Sequence, residues 1–180
     1  MNKSSQKLKL TIILAMLSAI SIICGKYLAI RGGDVMRFSL ESMPIIFAGI
    51  AFGPVAGALV GLVADLVGCI MVAYTINPLV TLGAASIGAV SGIVSRIVYK
   101  KVFDRRIATA VSVAAAHLVG SVIIKTIGLA SYYDMPFFTL LLWRVLNYII
   151  VGAIDGVVVH ILLHNKGVRN QLRGLGGSEK

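Results

Sequence analysis

Acidic residues, cysteine and proline are scarce in this 180-residue chain, which contains 7 Asp and Glu, 2 Cys and 4 Pro. Only 13% of its residues are charged, about half the share that is usual in soluble domains, whereas 58% are hydrophobic. A soluble 19.0 kDa globule of this composition would expose large apolar patches to water. The mean hydropathy of +0.93 therefore indicates a protein that resides in a lipid bilayer. Disorder, a disulfide scaffold and a coiled coil are excluded on the same grounds.

Sequence features of enzymes and metal sites are also missing. No glycine-rich phosphate loop followed by Lys-Ser or Lys-Thr is present, so the chain is not expected to hydrolyse nucleotides by itself. His117, His160 and His164 have no cysteine or carboxylate at ligand spacing, and we interpret them as packing or interfacial residues. Asp155-Gly156 matches the start of an intramembrane phosphotransferase motif without its further aspartates. The sequence predicts no metal, no cofactor and no catalytic residue, and a membrane-embedded enzyme of lipid metabolism is kept only as an alternative.

Apolar runs and their interruptions predict an all-α integral membrane protein with six transmembrane helices in a single membrane domain, residues 1–180. Gly53-Pro54 is interpreted as a break between two helices, because proline fits the first turn of a helix better than its interior. The glycine-rich segment Arg31–Arg37 is predicted to be the first loop, and residues 165–180 a mobile polar tail. The predicted spans cover about residues 10–30, 43–52, 54–73, 79–99, 107–130 and 137–164.

The distribution of basic residues predicts the orientation in the membrane. Seventeen Lys and Arg against seven Asp and Glu give a net charge of +10. Twelve of the 17 lie in the N-terminal tail, at the end of the fourth span with its loop, and in the C-terminal tail. Because basic residues collect on the cytoplasmic side, we expect both termini inside and a multi-pass protein of a bacterial cell membrane. Nucleic acid binding is not expected, because no polar segment combines a basic patch with aromatic residues.

The remaining five basic residues lie in the outward half of the predicted topology, where topology rules predict few. They are Lys26, Arg31, Arg37, Lys125 and Arg144. A charge inside a span costs roughly 2.5–3.5 kcal/mol on insertion scales, so each requires a compensating partner. Pairing with carboxylates is the ordinary explanation, but the three acids at similar depth, Asp34, Glu41 and Asp134, leave a surplus of positive charge. The functional interpretation is an outward-facing cavity for an anion with more than one negative charge.

Aromatic and amide side chains are predicted at the same level of the membrane. Interfacial aromatic residues commonly form a belt, whereas an amide inside a span is less easily explained in that way. Asn147 follows Arg144 by three residues, so both project from one helix face. Such a set suits a flat heteroaromatic ligand with an acidic end. The candidate substrate-binding residues are Arg31, Arg37, Tyr74, Asn77, Lys125, Tyr133, Trp143, Arg144 and Asn147.

Small residues recur at four-residue spacing, which lets helix backbones approach closely in lipid. Internal packing is the default explanation for these pairs. Ala15 and Ala19 also permit a second interpretation, in which a smooth stripe on the first span receives a helix of a partner protein. The pairs are Ala15 and Ala19, Gly49 and Gly53, Gly57 and Gly61, Gly88 and Gly92, and Gly152 and Gly156.

Several of these elements occur together in a known family. They are Ala15-x-x-x-Ala19, the loop Arg31-Gly-Gly-Asp-Val-Met-Arg37-Phe-Ser, the run from Met43-Pro44 to Gly49, Phe52-Gly53-Pro54 with Gly57, Gly61 and Asp65, and Pro78-x-x-Thr81-Leu82. With these motifs the chain resembles the substrate-binding S subunits of energy-coupling factor (ECF) vitamin transporters, most closely the folate-specific branch. The resemblance covers nearly the whole chain.

The resemblance implies a six-helix subunit that captures folate or a reduced folate at the outer face and delivers it inward. It implies docking on a transmembrane T subunit that carries two ATPase subunits, with Ala15 and Ala19 as the docking stripe. The ligand's flat ring would contact the aromatic and amide residues, and its carboxylates would meet Lys125, Arg144 and one of Arg31 and Arg37. Another vitamin is the alternative ligand, although cationic thiamine fits five outward basic residues poorly.

Overall fold

The structure, a computed structural model, describes residues 3–32, 36–102, 104–133 and 136–174. Its described part is a bundle of helices with one pair of three-residue strands. The helices are α1 (Lys3–Ile22), α2 (Ser42–Phe52), α3 (Pro54–Met71), α4 (Pro78–Lys101), α5 (Arg105–Ala116), α6 (Lys125–Tyr133), α7 (Phe137–His164) and α8 (Lys166–Gly174). Two π-helical segments extend α1 over Ile23–Tyr27 and join α5 to α6 over His117–Ile124. The strands are β1 (Ile30–Gly32) and β2 (Met36–Phe38).

Five described helices are long and apolar enough to cross a membrane. They are Ser4–Tyr27, Pro54–Met71, Pro78–Lys101, Arg105–Tyr132 and Phe137–His164. The shortest has 18 residues and measures about 27 Å, close to the ~30 Å thickness of a hydrocarbon core. α2 is apolar but has only 11 residues, which corresponds to about 17 Å. The chain is therefore a helical membrane protein with five candidate spans, and the sixth predicted span is shorter than the bilayer.

α2 lies at the centre of the bundle. Nine of its 11 residues are buried, and it packs against α1, α3, α4 and α7. Ile46 and Ala48 are fully enclosed. An apolar helix that is covered on every side belongs to the core rather than to a lipid-facing surface. The packing of its neighbours therefore holds this short helix in place.

Glycines let α2, α3 and α4 approach one another closely. A Cβ added to Gly57 of α3 would lie 2.6 Å from the Cα of Gly49 in α2 and 2.6 Å from the carbonyl oxygen of Gly88 in α4. A Cβ on Gly61 would lie 2.7 Å from the carbonyl carbon of Ala84. Helices in lipid associate through such close packing, because lipid removes most of the hydrophobic driving force. The small-residue pairs on α3 and α4 therefore serve internal packing.

A glycine in the left-handed region separates α2 from α3. Gly53 has φ 106° and ψ 172°, a conformation that side chains with a Cβ rarely adopt, and Pro54 occupies the first turn of α3. The Gly53 amide donates to the carbonyl oxygen of Gly49 at 3.0 Å and closes α2. A Cβ at Gly53 would also collide with the guanidinium of Arg96, so α4 packs beside this turn.

Two segments contain more regular structure than the sequence analysis predicts. In the first loop, Arg31 lies opposite Arg37 in an antiparallel strand pair. Residues 166–174 form α8, and its Val168 and Leu172 pack against the hydrophobic core, so the prediction of a mobile tail is wrong for these residues. Val168 and Leu172 are four residues apart and share one helix face, a signal too short to stand out in a polar segment.

Candidate substrate-binding site

A small polar pocket lies between the π-helical extension of α1 and helices α3 and α6. Its charged lining residues are Lys26, Glu41, Asp65 and Lys125, and Ser21 adds a hydroxyl group. The pocket encloses about 10 Å³, whereas ligand pockets commonly measure about 300–1,000 Å³. The pocket is therefore too small in this structure for a vitamin-sized ligand, which would enter only if neighbouring segments moved apart.

Lys125 and Glu41 form an ion pair in this pocket. Nζ of Lys125 donates to Oε1 of Glu41 at 3.0 Å, and the Lys125 residue is only 5% exposed. The hydroxyl group of Ser21 donates to the Glu41 backbone carbonyl at 2.6 Å and fixes the residue just before α2. Because an unpaired buried ammonium costs several kcal/mol, Glu41 offsets the cost of burying Lys125. Lys125, predicted as a ligand contact, therefore has a carboxylate partner within the chain.

Lys26 and Asp65 add a second base and a second acid to the pocket. Nζ of Lys26 donates to Sγ of Cys69 at 3.7 Å and lies 5.6 Å from the centroid of the Tyr74 ring, within range of a cation–π interaction. Oδ2 of Asp65 accepts a hydrogen bond from the Thr81 hydroxyl at 2.7 Å. With two bases and two acids, the pocket is balanced in formal charge. The positive surplus predicted from the sequence therefore does not lie in this pocket.

Arg144 joins α7 to the π-helical segment before α6. Its Nε and Nη2 donate to the carbonyl oxygen of Ser121 at 3.1 and 2.7 Å, and Nη2 also donates to the Tyr148 hydroxyl at 3.4 Å. The guanidinium carbon lies 5.2 Å from the centroid of the Tyr148 ring. These described partners are a carbonyl, a hydroxyl and an aromatic ring, none of which carries a negative charge. Arg144 thus brings uncompensated positive charge to this part of the described structure.

A buried hydrogen-bond network that the sequence analysis missed continues along the same helix interface. His117 Nε2 lies 3.0 Å from Oδ2 of Asp155, and His117 Nδ1 lies 3.2 Å from the Ser121 hydroxyl. His117 is buried, which agrees with its interpretation as a packing residue, but it has a carboxylate partner that the sequence analysis did not predict. No spacing signal marks the pair, because His117 and Asp155 are 38 residues apart and lie on different helices.

This network links a serine, a histidine and an aspartate, as the catalytic triad of a hydrolase does. The burial of Ser121, His117 and Asp155 argues against catalysis. Ser121 and Asp155 are both 0% exposed, and His117 is 3% exposed. A nucleophile has to reach the reacting atom of a substrate, which a fully enclosed hydroxyl group does not do. The network instead connects α7 to the neighbouring helix through the hydrogen bonds of His117 to Asp155 and Ser121, whereas Oδ1 of Asp155 is buried without a hydrogen-bond partner.

Asn77 has a structural role at the start of α4. Its Oδ1 accepts hydrogen bonds from the backbone amides of Leu79 at 3.0 Å and Val80 at 3.4 Å, which makes it the N-cap residue. Its Nδ2 donates to the carbonyl oxygen of Gly128 in α6 at 2.9 Å. Both ends of the amide are therefore occupied within the protein, and an Asn directly before Pro78 is a capping signal that the sequence analysis overlooked.

The remaining predicted ring and amide contacts lie after α3 and on α6 and α7. Tyr74 follows α3 and is 41% exposed, and Trp143 on α7 is 39% exposed, so both rings remain partly accessible. Asn147 is half-buried one helical turn after Trp143. Tyr133 ends α6, and its side chain lies outside the described part of the structure.

The strand pair brings two further candidates to α7. The backbone of Arg31 pairs with that of Arg37 across β1 and β2, and β2 contacts α7, the helix that carries Arg144. The side chains of both arginines are outside the described part. The backbone arrangement nevertheless places three candidate basic positions on the strand pair and on α7, the helix that the strand pair contacts.

Ala15 and Ala19 lie on an exposed stripe of α1. The same helix exposes Ile12 at 50%, Met16 at 60% and Ile20 at 43%. None of these residues approaches the polar pocket, whose α1 lining comes from the opposite, buried side near Ser21. The predicted docking stripe is therefore available to lipid or to a partner.

The five long apolar helices define a helical membrane protein, and no group of three potential metal ligands occurs among the described residues. The chain belongs to the family of ECF transporter substrate-specific components, whose family model matches residues 9–163. It is therefore a substrate-binding transport subunit and not an enzyme. No curated protein is similar enough in sequence to count as a match.

Three solved structures share the fold. FolT bound with folic acid is 20% identical, with a TM-score of 0.68 over 84% of this chain and 90% of that one. The S component of a bacterial ECF transporter is 22% identical, with a TM-score of 0.68 over 92% and 98%. The S-component for biotin from an ECF-type ABC transporter is 18% identical, with a TM-score of 0.66 over 92% and 95%.

Proposed function

We propose that this chain captures folate at the outer face of a bacterial cell membrane and delivers it inward as the S component of an ECF-type importer. The observation that carries the proposal is the position of Arg144. It lies within an apolar helix, its described partners carry no negative charge, and its helix contacts the strand pair with Arg31 and Arg37. Basic positions on α7 and on the strand pair that contacts it would suit a ligand with two carboxylates. The similarity in fold to FolT bound with folic acid supports the same ligand.

The acidic end of folate is assigned to Arg144 and to one or both of Arg31 and Arg37. An arginine forms two parallel hydrogen bonds to a carboxylate, which gives both strength and direction. The flat ring is assigned to Tyr74, Tyr133 and Trp143, with the amide of Asn147 as a polar contact. Asn77 is not included in this assignment, because both ends of its amide have partners in the protein.

Lys125 takes part through its ion pair with Glu41. Glu41 comes three residues after β2, so a movement of the strand pair that opens the site would also displace Glu41. A carboxylate of the ligand would then replace the Glu41 carboxylate beside Lys125, and the buried ammonium would keep an anionic partner throughout. Binding and opening of the site are coupled in this way.

The assembly follows from the family. We infer six membrane segments, with the short α2 as the sixth, and both termini in the cytoplasm. We further infer that Ala15 and Ala19 contact a T subunit, which works with two ATPase subunits. Their exposure on α1 supports this docking surface, because small residues allow close approach of another helix.

Competition binding tests the proposed ligand. Purified chain in detergent is incubated with radiolabelled folic acid and increasing amounts of unlabelled folic acid, biotin or thiamine. We expect folic acid to compete at the lowest concentration and cationic thiamine to compete poorly. If biotin competes more effectively than folic acid, the chain remains a member of the family but its substrate is a vitamin other than folate. The absence of saturable folate binding by a folded chain would refute the proposal.

A further inference from the structure

A second and much larger cavity lies away from the polar pocket, in a groove between α5 and α7. The groove has a volume of about 690 Å³ and is open to the outside of the bundle. Most of its lining is apolar, and small residues on both helices create the space. These small residues are Ala110, Ala114, Gly152, Ala153 and Gly156.

The groove runs lengthwise along the two sides that line it. On one helix its lining extends from Arg106 to Val122, and on α7 from Val145 to Ile161. The 17 α-helical residues from Val145 to Ile161 span about 24 Å, which exceeds the ~15 Å depth of one leaflet of the hydrocarbon core. The groove is therefore long enough for a complete lipid acyl chain.

His117 and Tyr148 line the groove, and hydrogen bonds occupy their polar atoms within the protein. His117 Nε2 is bonded to Asp155, and the Tyr148 hydroxyl accepts a hydrogen bond from Arg144. The two rings pack with their centroids 5.1 Å apart. They contribute ring surface rather than hydrogen-bonding atoms, which suits hydrocarbon better than a polar ligand.

One end of the groove is basic and lies where α5 begins. Arg106 lines this end together with His160, and Arg105 precedes it in the chain. Asp104 is the nearby acid, and its carboxylate accepts a hydrogen bond from the backbone amide of Arg106 at 2.8 Å. Arg106 therefore brings a positive charge to the end of the groove where α5 begins. Basic pockets between membrane helices bind anionic headgroups.

We propose that the groove between α5 and α7 is a binding site for one anionic phospholipid. An acyl chain lies along the small-residue lining, and the headgroup phosphate contacts Arg106. The complementary charge at the end of the groove favours a lipid over a helix of a second copy, since an apolar helix would leave Arg106 without an anion. This inference is independent of the proposed vitamin.

Native mass spectrometry of the full chain in detergent tests the inference. The probes are dioleoyl-phosphatidylglycerol, which is anionic, and dioleoyl-phosphatidylcholine, which has the same acyl chains. We expect one bound phosphatidylglycerol per chain with roughly fivefold tighter binding than phosphatidylcholine, the effect of about one basic residue. Arg106→Gln should reduce phosphatidylglycerol binding to the level of phosphatidylcholine.

Gly156→Leu tests the groove itself, because a Cβ at Gly156 meets no atom within 4 Å and the side chain would enter the cavity. This variant should lose both lipids, and Leu142→Ala, an exposed lipid-facing control outside the groove, should lose neither. If Gly156→Leu fails to fold, Ala153→Phe fills the same space. Three results would each overturn the proposal. The original chain could bind the two lipids equally, a folded groove-filling variant could retain lipid binding, or a second copy of the chain could occupy the groove without lipid.

Discussion

Individual basic residues separate into two kinds in this structure. Lys26 and Lys125 share a closed pocket with Glu41 and Asp65, so their charges are balanced locally. Arg144 instead contacts a backbone carbonyl and a tyrosine. Composition and topology rules identify these residues as exceptional, but only the three-dimensional arrangement shows which of them have an acid beside them.

Substitution of Arg144 tests its assignment as a ligand contact. Arg144→Ala should weaken folate binding by about 2–5 kcal/mol, because it would leave a desolvated carboxylate without its partner. Isothermal titration calorimetry of the purified variant measures this loss directly. Tyr148→Phe is the matched control, because it removes the hydroxyl that Arg144 contacts and keeps the charge. Unchanged affinity of Arg144→Ala would restrict Arg144 to a structural role.

The ion pair between Lys125 and Glu41 makes a separate prediction about stability. Glu41→Gln should destabilise the protein by about 3 kcal/mol, the lower end for breaking a buried pair, because the Glu41 side chain is 21% exposed. The double variant Lys125→Met with Glu41→Gln should recover part of this loss, since it removes the stranded charge. Unfolding in detergent by increasing sodium dodecyl sulfate measures both effects. Strictly additive losses would show that the two groups are not coupled.

At the scale of elements, the sequence predicts helix ends better than helix interiors. The Gly53-Pro54 pair predicts a break, and α2 ends at Phe52 while α3 begins at Pro54. The π-helical segment His117–Ile124 has no such signal, because an extra residue per turn depends on packing against neighbouring helices. The contact between His117 and Asp155 was unpredictable for the same reason, since it depends on how two distant helices align.

Two glycines on different helices offer a matched test of helix packing. A Cβ at Gly88 of α4 would collide with the backbone of Gly57 in α3, whereas a Cβ at Gly156 of α7 meets nothing within 4 Å. Gly88→Ala should lower the free energy of unfolding by about 1–3 kcal/mol, the usual cost of overpacking. Gly156→Ala should be neutral or slightly stabilising, because alanine favours the helix. Equal effects in a thermal melt would contradict this account of the α3–α4 contact.

The exposed stripe on α1 predicts a variant that binds but does not transport. Ala15→Trp or Ala19→Trp should leave folate affinity unchanged, because neither residue lines the polar pocket. Uptake into cells that also produce the T and ATPase subunits should be abolished, because the large side chain prevents docking. Leu142→Trp is the control, since Leu142 is 63% exposed on α7 and should tolerate tryptophan. Loss of folate binding in the α1 variants would identify the stripe as an internal packing surface.

For the molecule as a whole, composition alone predicts a helical membrane protein, and the match of residues 9–163 establishes the ECF substrate-specific family. The size of the polar pocket was not predictable from the sequence. Sequence patterns place candidate residues at one level of the membrane, but the closed pocket of about 10 Å³ results from how the helices pack.

Calorimetric titration of folic acid into the purified, detergent-solubilised chain tests the central claim most directly. We predict a saturable isotherm with one folate per chain, together with a rise in melting temperature, because a ligand that binds only the folded state stabilises it. Absence of saturable heat and of any shift in melting temperature, in a preparation whose circular dichroism shows full helical content, would contradict the assignment of folate as the substrate.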